Sequence, residues 1–359
     1  MKPLIVTLLG IFVFFDICMF VPAPNLALLP FTIAVPELSP WLAVLGLVAC
    51  ALALRYHRRL APFLLGSALI LFFPLAEVAA VERRMEAQLS TSAPMHVLEF
   101  FRNTPRSSVE PETLPLNIRY YRPEGDGSHP ALIDIYGGAW QRGTPGDSHQ
   151  FDSYLAHKGY AVFAIDYRHA PAFRFPAQIE DVRAAISFVH ANAAQYRADP
   201  DRLILCGRSA GGQLALLAAY EPGPVPVRAV ISFYGPTDLV AGYDDRPAPD
   251  PIDVRQVLTT YLGGSPSHAP MAYRAASAVT YAQRPLPPTL LIQGARDHIV
   301  KARFPRELQR KLLVAGNRAV LLEIPWSEHA FDAVFPGIGN RLALHYIEQF
   351  LRQNVTARP

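Results

Sequence analysis

The chain has 359 residues, of which 51% are apolar and 18% are charged, and its formal net charge is +3. This composition excludes a disordered chain, which needs low hydrophobicity and a high net charge. The charged residues form no basic face, so no nucleic-acid partner is expected. The three cysteines, Cys18, Cys50 and Cys206, are too few for a disulfide framework or a zinc site made of four cysteines.

Long apolar runs dominate the first 82 residues, at positions 5–20, 41–54 and 61–80. A membrane-spanning helix needs about 20 mostly apolar residues, so the first and third runs qualify and the second is near the lower limit. We therefore predict a transmembrane anchor of about three helices in residues 1–82, with the lipid bilayer as a partner. Prolines interrupt residues 25–35, which we expect to form a loop near the membrane surface. The alternatives are buried core helices and, for the first run alone, a cleaved signal peptide.

The basic residues of this region predict its orientation. They lie before the first run and between the second and third runs: Lys2, Arg55, Arg58 and Arg59. Segment 25–40 contains no Lys or Arg. Because short cytoplasmic loops are enriched in Lys and Arg, we predict a multi-pass membrane protein whose N-terminus is inside. Residues 83–359 would then lie on the outer or periplasmic side, or on the inner side if the second run does not cross.

From residue 115 onward, short apolar runs alternate with helical segments. The predicted strands are 132–136, 161–166, 203–206, 229–234, 289–293 and 320–324, and the predicted helices are 179–194, 211–220, 305–315 and 338–354. Short apolar runs without strict alternation are typical of strands buried on both faces. Strands that alternate with helices predict an α/β fold with a mostly parallel sheet. We assign residues 83–359 to this domain, with a small cap insertion around 238–284.

A G-x-S-x-G motif follows the predicted strand 203–206 and opens the helix 211–220. Its residues are Gly207, Arg208, Ser209, Ala210 and Gly211. This context is typical of a nucleophile elbow, a tight turn that exposes a serine hydroxyl at the carboxyl end of a strand. The two glycines permit a strained backbone and close contact between strand and helix. An ordinary glycine-rich turn is the alternative, and the flanking elements favour the elbow.

A second run of small residues follows the predicted strand 132–136, in the stretch Tyr136, Gly137, Gly138, Ala139 and Trp140. Successive small residues let backbone N–H groups converge on one oxygen, as an oxyanion hole requires. The N–H group of the residue after the nucleophile, Ala210, would complete the hole.

A serine nucleophile needs a general base and a carboxylate that orients the base. His329 follows the predicted strand 320–324, and Asp297 follows the strand 289–293. Both leave the sheet at carboxyl strand ends, the edge where ligands bind in open α/β sheets. We therefore predict that Ser209, Asp297 and His329 form a catalytic triad, in the chain order Ser, Asp, His. Asp238 is the rival acid, because it also follows a predicted strand.

Two residues next to these motifs are expected to have no catalytic role. His298, adjacent to Asp297, is expected to be a loop residue. Cys206 is expected to be buried in its strand and not to act as a nucleophile.

These motifs together resemble the α/β-hydrolase superfamily over residues 95–355. Within it, they are similar to the hormone-sensitive-lipase-like and BD-FAE-like esterases, a group near kynurenine formamidases and isoprenylcysteine methylesterases. Residues 136–140 stand where that family has HGGxW, and residues 166–171 resemble its DYRxAP segment. The resemblance implies that Gly138 and Ala139 supply oxyanion N–H groups together with Ala210.

One departure is Tyr136, which replaces the leading histidine of the motif. We expect its hydroxyl to brace the loop instead. The third position is Ala139 instead of glycine, which we expect to adopt a less demanding φ. Asp166 and Arg168 invite interpretation as a clamp for a substrate carboxylate, but a structural role in the loop after the strand is favoured.

The sequence thus predicts a membrane-anchored serine carboxylesterase that hydrolyses short- to medium-chain esters through an acyl-enzyme. A small-molecule ester is the expected substrate, and no metal or organic cofactor is implied. The chain-length expectation rests on the small cap and on residues 82–115 covering the acyl side. The alternatives are an amide or formamide hydrolase of the same fold and a non-catalytic receptor on a hydrolase scaffold. A transporter built on the apolar runs is disfavoured, and the oligomeric state is left open.

Overall fold

The computed structural model describes residues 2–91, 94–95, 97–101, 109–283 and 285–356. Apolar helices come first in the chain, and a twisted sheet with helices on both faces follows. The N-terminal helices are α1 (Lys2–Phe20), α2 (Leu29–Tyr56), α3 (Ala61–Leu71) and α4 (Phe73–Leu89). Three helical stretches, Lys2–Phe20, Leu29–Tyr56 and Arg58–Leu89, are long and apolar enough to cross a membrane by length and composition.

Helix α2 corrects the expected loop at residues 25–35, because it begins at Leu29 and continues through Pro36 and Pro40. Pro30 stands in the first turn, where a missing N–H group costs nothing. Prolines inside apolar helices are tolerated when neighbouring groups satisfy the backbone that they leave unpaired. The second apolar helix is therefore longer than the predicted run 41–54.

Exposed apolar side chains cover the outside of α1, α2 and α3 and of the connection between α1 and α2. Their large members are Leu4, Val6, Ile11, Val13, Ile17, Phe20, Val21, Leu26, Phe31, Val44, Leu45, Leu47, Val48, Leu54, Phe63, Leu65, Leu69 and Ile70. We call this set of residues the apolar belt. Apolar patches of such extent are rare on soluble monomers and mark contacts with membranes, ligands or proteins.

The sheet has eight strands within the described residues: β1 (Glu112–Leu114), β2 (Ile118–Tyr121), β3 (His129–Ile135), β4 (Ala161–Ile165), β5 (Ala198–Arg208), β6 (Ala229–Phe233), β7 (Thr289–Gly294) and β8 (Ala319–Ile324). Their order is β1-β2-β4-β3-β5-β6-β7-β8. Strands β3 to β8 pair in parallel, whereas β1 and β2 pair antiparallel. The predicted α/β fold with a mostly parallel sheet is therefore confirmed, and the six predicted strands correspond to β3–β8.

Eight further helices accompany the sheet in the described chain: α5 (His149–His157), α6 (Ala177–Ala191), α7 (Ala210–Tyr220), α8 (Leu239–Asp244), α9 (Val254–Leu262), α10 (Pro270–Ala276), α11 (Arg303–Val314) and α12 (Ile338–Leu351). Helices α6, α7 and α11 pack on one face of the sheet, and α4, α5 and α12 pack on the other. Helices α8, α9 and α10 form the insertion between β6 and β7. They occupy most of the predicted cap at 238–284, of which residue 284 lies outside the described residues.

Helix α4 connects the apolar helices to the sheet. Residue 82, where the composition changes, lies inside it, and Val81 and Met85 pack in the core between the sheet and α12. The Gln88 side chain pairs with the backbone of Leu321 in β8, accepting from its N–H at 2.9 Å and donating to its carbonyl at 3.0 Å. The division into residues 1–82 and 83–359 thus falls within one continuous helix.

Candidate active site

A strained turn places Ser209 between β5 and α7. Its φ of 50° and ψ of −118° lie outside the regions that most side chains favour. A Cβ atom on Gly207 would lie 2.2 Å from the carbonyl oxygen of Gly211, and one on Gly211 would lie 2.0 Å from that of Ile135. Only glycine therefore fits at both motif positions, and the turn holds the serine at the carboxyl end of β5.

Hydrogen-bond distances connect the three residues predicted as a triad, with His329 between Ser209 and Asp297. His329 Nε2 lies 3.0 Å from Ser209 Oγ, and His329 Nδ1 lies 2.8 Å from Asp297 Oδ2. The other carboxylate oxygen of Asp297 accepts hydrogen bonds from the N–H groups of Ile299 at 2.9 Å and Val300 at 2.7 Å. The carboxylate is thus fixed from both sides and directs the imidazole toward the serine.

The rival acid has a different role in the structure. Asp238 is the N-cap of α8, where its Oδ1 accepts a hydrogen bond of 3.0 Å from the N–H group of Ala241. Side-chain caps of this kind satisfy a helix N–H group that has no intrahelical partner. Of the two candidates, Asp297 is the one that contacts His329.

The environment of His329 favours its charged form. Burial of the imidazole acts in the opposite direction, but the charge and hydrogen bond of Asp297 outweigh it and raise the pKa of His329 above its usual value. Glu328 and Asp332 add smaller contributions that raise this pKa further. The site can therefore stabilise an imidazolium ion that forms when the serine gives up its proton.

Glu328 links the loop that carries Asp297 to the loop that carries His329. Its Oε2 lies 2.7 Å from His298 Nδ1, and its Oε1 accepts from the N–H groups of His298 at 3.0 Å and His329 at 2.8 Å. His298 is a loop residue as expected, but its contact with Glu328 was not predicted. The only available signal was that His298 and Glu328 each adjoin a candidate triad residue.

The glycine-rich loop after β3 presents free N–H groups beside the serine. Gly138 has a φ of 130°, Ala139 of 56° and Trp140 of 59°. Among the described residues, the N–H groups of Gly138, Ala139 and Ala210 are not donors to any loop or turn carbonyl. The expectation of a less demanding φ at Ala139 is wrong, because this residue lies in the left-handed region that favours glycine.

Tyr136 braces this loop through its hydroxyl. It donates a hydrogen bond of 2.6 Å to Asp166 Oδ1, and its oxygen lies 2.7 Å from His169 Nε2. Its ring stacks on Tyr167 with 4.4 Å between the centroids. Burial and the Asp166 carboxylate raise the pKa of Tyr136, so the hydroxyl keeps its proton and remains a donor.

Asp166 and Arg168 both have local partners. Asp166 also accepts hydrogen bonds from Asn117 Nδ2 at 2.6 Å and from the N–H group of Tyr167 at 2.9 Å. Arg168 Nε donates to both carboxylate oxygens of Asp181, at 3.0 and 2.9 Å. These contacts agree with a structural role in the loop, and neither Asp166 nor Arg168 lines the cavity that contains Ser209.

The indole of Trp140 holds the loop against the cap. It stacks on Tyr261 of α9 with 4.2 Å between centroids and 2° between planes. Its Nε1 donates to Gln213 Oε1 at 3.0 Å, and Gln213 Nε2 donates to the carbonyl oxygen of Ala276 at 2.7 Å. Gly137 completes the close approach of loop and elbow, since a Cβ there would lie 2.9 Å from the Arg208 carbonyl oxygen.

Arg208, the residue before the serine, is buried and is held by two carboxylates. Arg208 Nη1 donates to Asp134 Oδ1 at 2.7 Å, and Nε donates to Asp332 Oδ2 at 2.6 Å. Its guanidinium also lies 4.2 Å from the ring centroid of Phe151. The G-x-S-x-G motif leaves the position of Arg208 unassigned, so this network was not predicted.

A cavity of about 660 Å³ opens over Ser209 and His329. Apolar side chains make up much of its wall: Leu26, Leu29, Phe151, Tyr234, Ile252, Ile299 and Phe335. Leu26 comes from the connection between α1 and α2, and Leu29 is the first residue of α2; neither was predicted to line the site. The expectation that residues 82–115 cover this cavity is wrong for the described residues of that segment, none of which lines it. Residues 92–93, 96 and 102–108 lie outside the described part.

The side-chain types that commonly bind metals form no candidate metal site in the described part of the chain. Throughout the described ranges, no three His, Cys, Asp or Glu side chains are close enough to share a metal ion. Cys206 is buried in β5, as expected, and burial raises the pKa of its thiol.

Comparison with known proteins places the chain among esterases and related hydrolases. The probable carboxylic ester hydrolase LipM of Mycobacterium tuberculosis is 34% identical over 252 residues, which cover 65% of this chain and 56% of that protein. The isoprenylcysteine alpha-carbonyl methylesterase ICME of Arabidopsis thaliana is 25% identical over 241 residues, which cover 62% and 56%. The chain therefore spans just over half the length of these curated relatives.

Solved structures share the fold. The Pyrobaculum calidifontis esterase has a TM-score of 0.61 at 24% identity, covering 79% of this chain and 95% of that chain. The native esterase Est2 of Thermogutta terrifontis has a TM-score of 0.55 at 22% identity, covering 71% and 96%. The sequence model of the BD-FAE family matches residues 116–312, more than half of this chain, including Ser209 and Asp297 but not His329. The chain therefore belongs to the BD-FAE family and has an α/β-hydrolase fold.

Proposed function

We propose that this protein is a membrane-anchored serine carboxylesterase that hydrolyses short- to medium-chain esters through an acyl-enzyme. The observation that carries the proposal is the position of His329, 3.0 Å from Ser209 Oγ and 2.8 Å from Asp297 Oδ2. An imidazole that is oriented by a carboxylate and contacts a serine hydroxyl is the arrangement of serine hydrolases. The names of LipM and ICME support an ester as the substrate class.

In the proposed reaction, Ser209 Oγ attacks the ester carbonyl while His329 Nε2 takes its proton. Asp297 fixes the imidazole tautomer and stabilises the imidazolium ion. The N–H groups of Gly138, Ala139 and Ala210 donate to the oxyanion of the tetrahedral intermediate. His329 then protonates the leaving alcohol, and water activated by the same imidazole releases the acyl group from Ser209.

The size and lining of the cavity support the expected acyl length. Its volume of about 660 Å³ is within the range of roughly 300–1,000 Å³ that small-ligand sites have. Tyr234 and Phe335 are part of its apolar wall. An acyl group of a few carbons would fit in this space beside the alcohol part of the ester.

The membrane part of the proposal rests on the apolar belt and on the three long helical stretches. We place residues 83–359 on the outer side, because Lys2 and the cluster Arg55, Arg58 and Arg59 favour the inside. Protease treatment of sealed spheroplasts tests this orientation. Cleavage of the hydrolase domain without lysis would support it, whereas cleavage only after detergent would reverse it.

The enzymatic part is tested with the full chain in detergent. We expect hydrolysis of p-nitrophenyl esters, fastest for short and medium acyl groups, and little hydrolysis of N-formyl anilides. Ser209→Ala removes the nucleophile, so kcat is expected to fall by roughly 10⁴-fold or more while the fold is retained. Full ester hydrolysis by the folded variant would refute the assignment, and a preference for the formyl substrates would favour the amide alternative.

A further inference from the structure

One wall of the cavity is formed by the connection between α1 and α2 together with the first turn of α2. Leu26 and Leu29 line the same cavity as Ser209 and His329. Leu29 packs in a small apolar cluster with Ile299, which lies two residues after Asp297. The connection between two candidate membrane spans therefore reaches the reacting groups.

The same segment is part of the apolar belt, with Val21 and Leu26 in the connection and Phe31 in the first turn of α2. Val21 is 50% exposed, Leu26 49% and Phe31 47%, although all three are large apolar side chains. Exposure of this kind is costly in water and favourable in a bilayer. Leu26 therefore belongs both to the surface that a bilayer would cover and to the wall of the cavity.

The end of α1 is also attached to the loop of the catalytic acid. The guanidinium of Arg296, the residue before Asp297, lies 5.6 Å from the ring centroid of Phe20. This cation–π contact holds the last turn of α1 against the loop. The loop that carries Asp297 and the end of the first span are thus in contact.

We propose that the ester substrate is a component of the bilayer, an acyl ester of a long-chain alcohol that is dissolved in the membrane. This inference rests on the proposed esterase function and on the membrane anchor. The ester carbonyl reaches Ser209 past Leu26 and Leu29, while the alcohol chain stays in contact with apolar side chains and lipid. Such a path avoids exposing the chain to water when the substrate enters the site.

The test uses the full chain in phosphatidylcholine vesicles with two butyrate esters. One is oleyl butyrate in the bilayer, and the other is p-nitrophenyl butyrate in the aqueous phase. The variants are Leu26→Asn and Leu29→Asn, and the control is Leu313→Asn, because Leu313 is 52% exposed on α11 and does not line the cavity.

We expect hydrolysis of oleyl butyrate. Leu26→Asn and Leu29→Asn should each lower its kcat/KM about tenfold, because each variant loses an apolar contact with the alcohol chain. The loss of kcat/KM for p-nitrophenyl butyrate should be clearly smaller, because this ester has no alcohol chain to contact Leu26 or Leu29, and the Leu313→Asn control should change both rates by less than about twofold. Hydrolysis of the soluble ester alone, or equal losses on both esters, would overturn the inference but leave the esterase assignment intact. Hydrolysis of neither ester would refute the proposed function itself.

A different contact carries a second inference. Glu37 of α2 is fully buried, at 0% exposure. Its Oε1 accepts a hydrogen bond of 2.5 Å from Ser327 Oγ, and its Oε2 accepts one of 2.6 Å from the N–H group of Gly339 in α12. A buried carboxylate is costly unless hydrogen bonds satisfy it, so these contacts fix the side chain.

Ser327 connects Glu37 to both loops of the triad. It lies two residues before His329, and its carbonyl oxygen accepts a hydrogen bond of 3.1 Å from the N–H group of Arg296, beside Asp297. The geometry points to Glu37 as a positioning residue that holds His329 at its distances from Ser209 and Asp297.

Glu37→Gln and Ser327→Ala test this role, with Glu77→Gln on α4 as the matched control. An amide presents only one acceptor oxygen, so Glu37→Gln loses one of the two hydrogen bonds. We expect each test variant to lower kcat about tenfold with little change in KM and to shift the acid limb of the pH profile, because His329 moves relative to Asp297. The double variant should be no slower than the slower single variant.

Folded Glu37→Gln and Ser327→Ala proteins with unchanged kcat and an unchanged pH profile would overturn the role. Additive losses in the double variant would also overturn it, because the two residues would then act separately. If Glu37→Gln does not fold, Ser327→Ala alone decides, since it removes the same contact from the other side.

Discussion

The hydroxyl of Tyr136 lies 2.6 Å from Asp166 Oδ1 and ties the start of the glycine-rich loop to the end of β4. Tyr136→Phe removes this donor, so that Asp166 Oδ1 loses one of its hydrogen bonds. We expect a loss of about 1–3 kcal/mol in the free energy of unfolding and a fall in kcat of about tenfold, since the oxyanion donors shift. Thermal melting and p-nitrophenyl butyrate hydrolysis measure the two effects. Unchanged kcat would show that the hydroxyl does not position the loop.

Asp297→Asn and Asp238→Asn distinguish the two candidate acids. The first change leaves an amide that favours the wrong imidazole tautomer, so kcat should fall by roughly 10⁴-fold. The second keeps a good N-cap, because Asn caps helices about as well as Asp, and kcat should stay within a few-fold of the parent. A severe loss in the Asp238 variant alone would move the acid to the preceding strand.

Glu328 should influence the pH dependence of the reaction. His329 must be neutral to accept the serine proton, and its raised pKa places the acid limb of kcat/KM above the ordinary histidine value of about 6.5. Glu328→Gln removes a negative charge beside the imidazole, so the pKa of His329 falls and the limb moves to lower pH. A profile of kcat/KM against pH checks this, and a limb that stays in place or moves upward would contradict it.

Arg208 should be important for stability as well as for the shape of the turn. Arg208→Met leaves Asp134 and Asp332 buried without their cation, which typically costs about 3–5 kcal/mol in the free energy of unfolding. The control is Arg306→Met, which removes a surface ion pair with Glu323 and should cost less than about 1 kcal/mol. Equal melting temperatures for the two variants would contradict this account.

The residues around Ser209 could be predicted from the sequence because their signals are local. Each of Ser209, Asp297 and His329 stands three to five residues after a short apolar run, and parallel strands bring such positions to one edge of the sheet. The Tyr136 hydroxyl could be expected as a brace because Tyr136 replaces the leading histidine of the motif that residues 136–140 resemble. Its partner Asp166 follows the neighbouring strand β4, and only the register of β3 and β4 brings the two together.

The contributions of the N-terminal helices could not be predicted. Leu26 and Leu29 stand in a proline-broken apolar segment in which every residue looks alike by hydrophobicity. Glu37 and Ser327 are 290 positions apart, and their contact depends on α2 starting twelve residues before the predicted run. A lone carboxylate in an apolar segment was the one available signal, since such residues usually have a specific partner.

The central claim is that Ser209 is the nucleophile that carries the acyl group. Labelling of the full chain with a fluorophosphonate, followed by peptide mass spectrometry, tests it most directly. The account predicts a single modified peptide that contains Ser209, with labelling and ester hydrolysis lost together in Ser209→Ala and strongly slowed in His329→Ala. Modification at another residue, or an unlabelled protein that still hydrolyses esters, would contradict it.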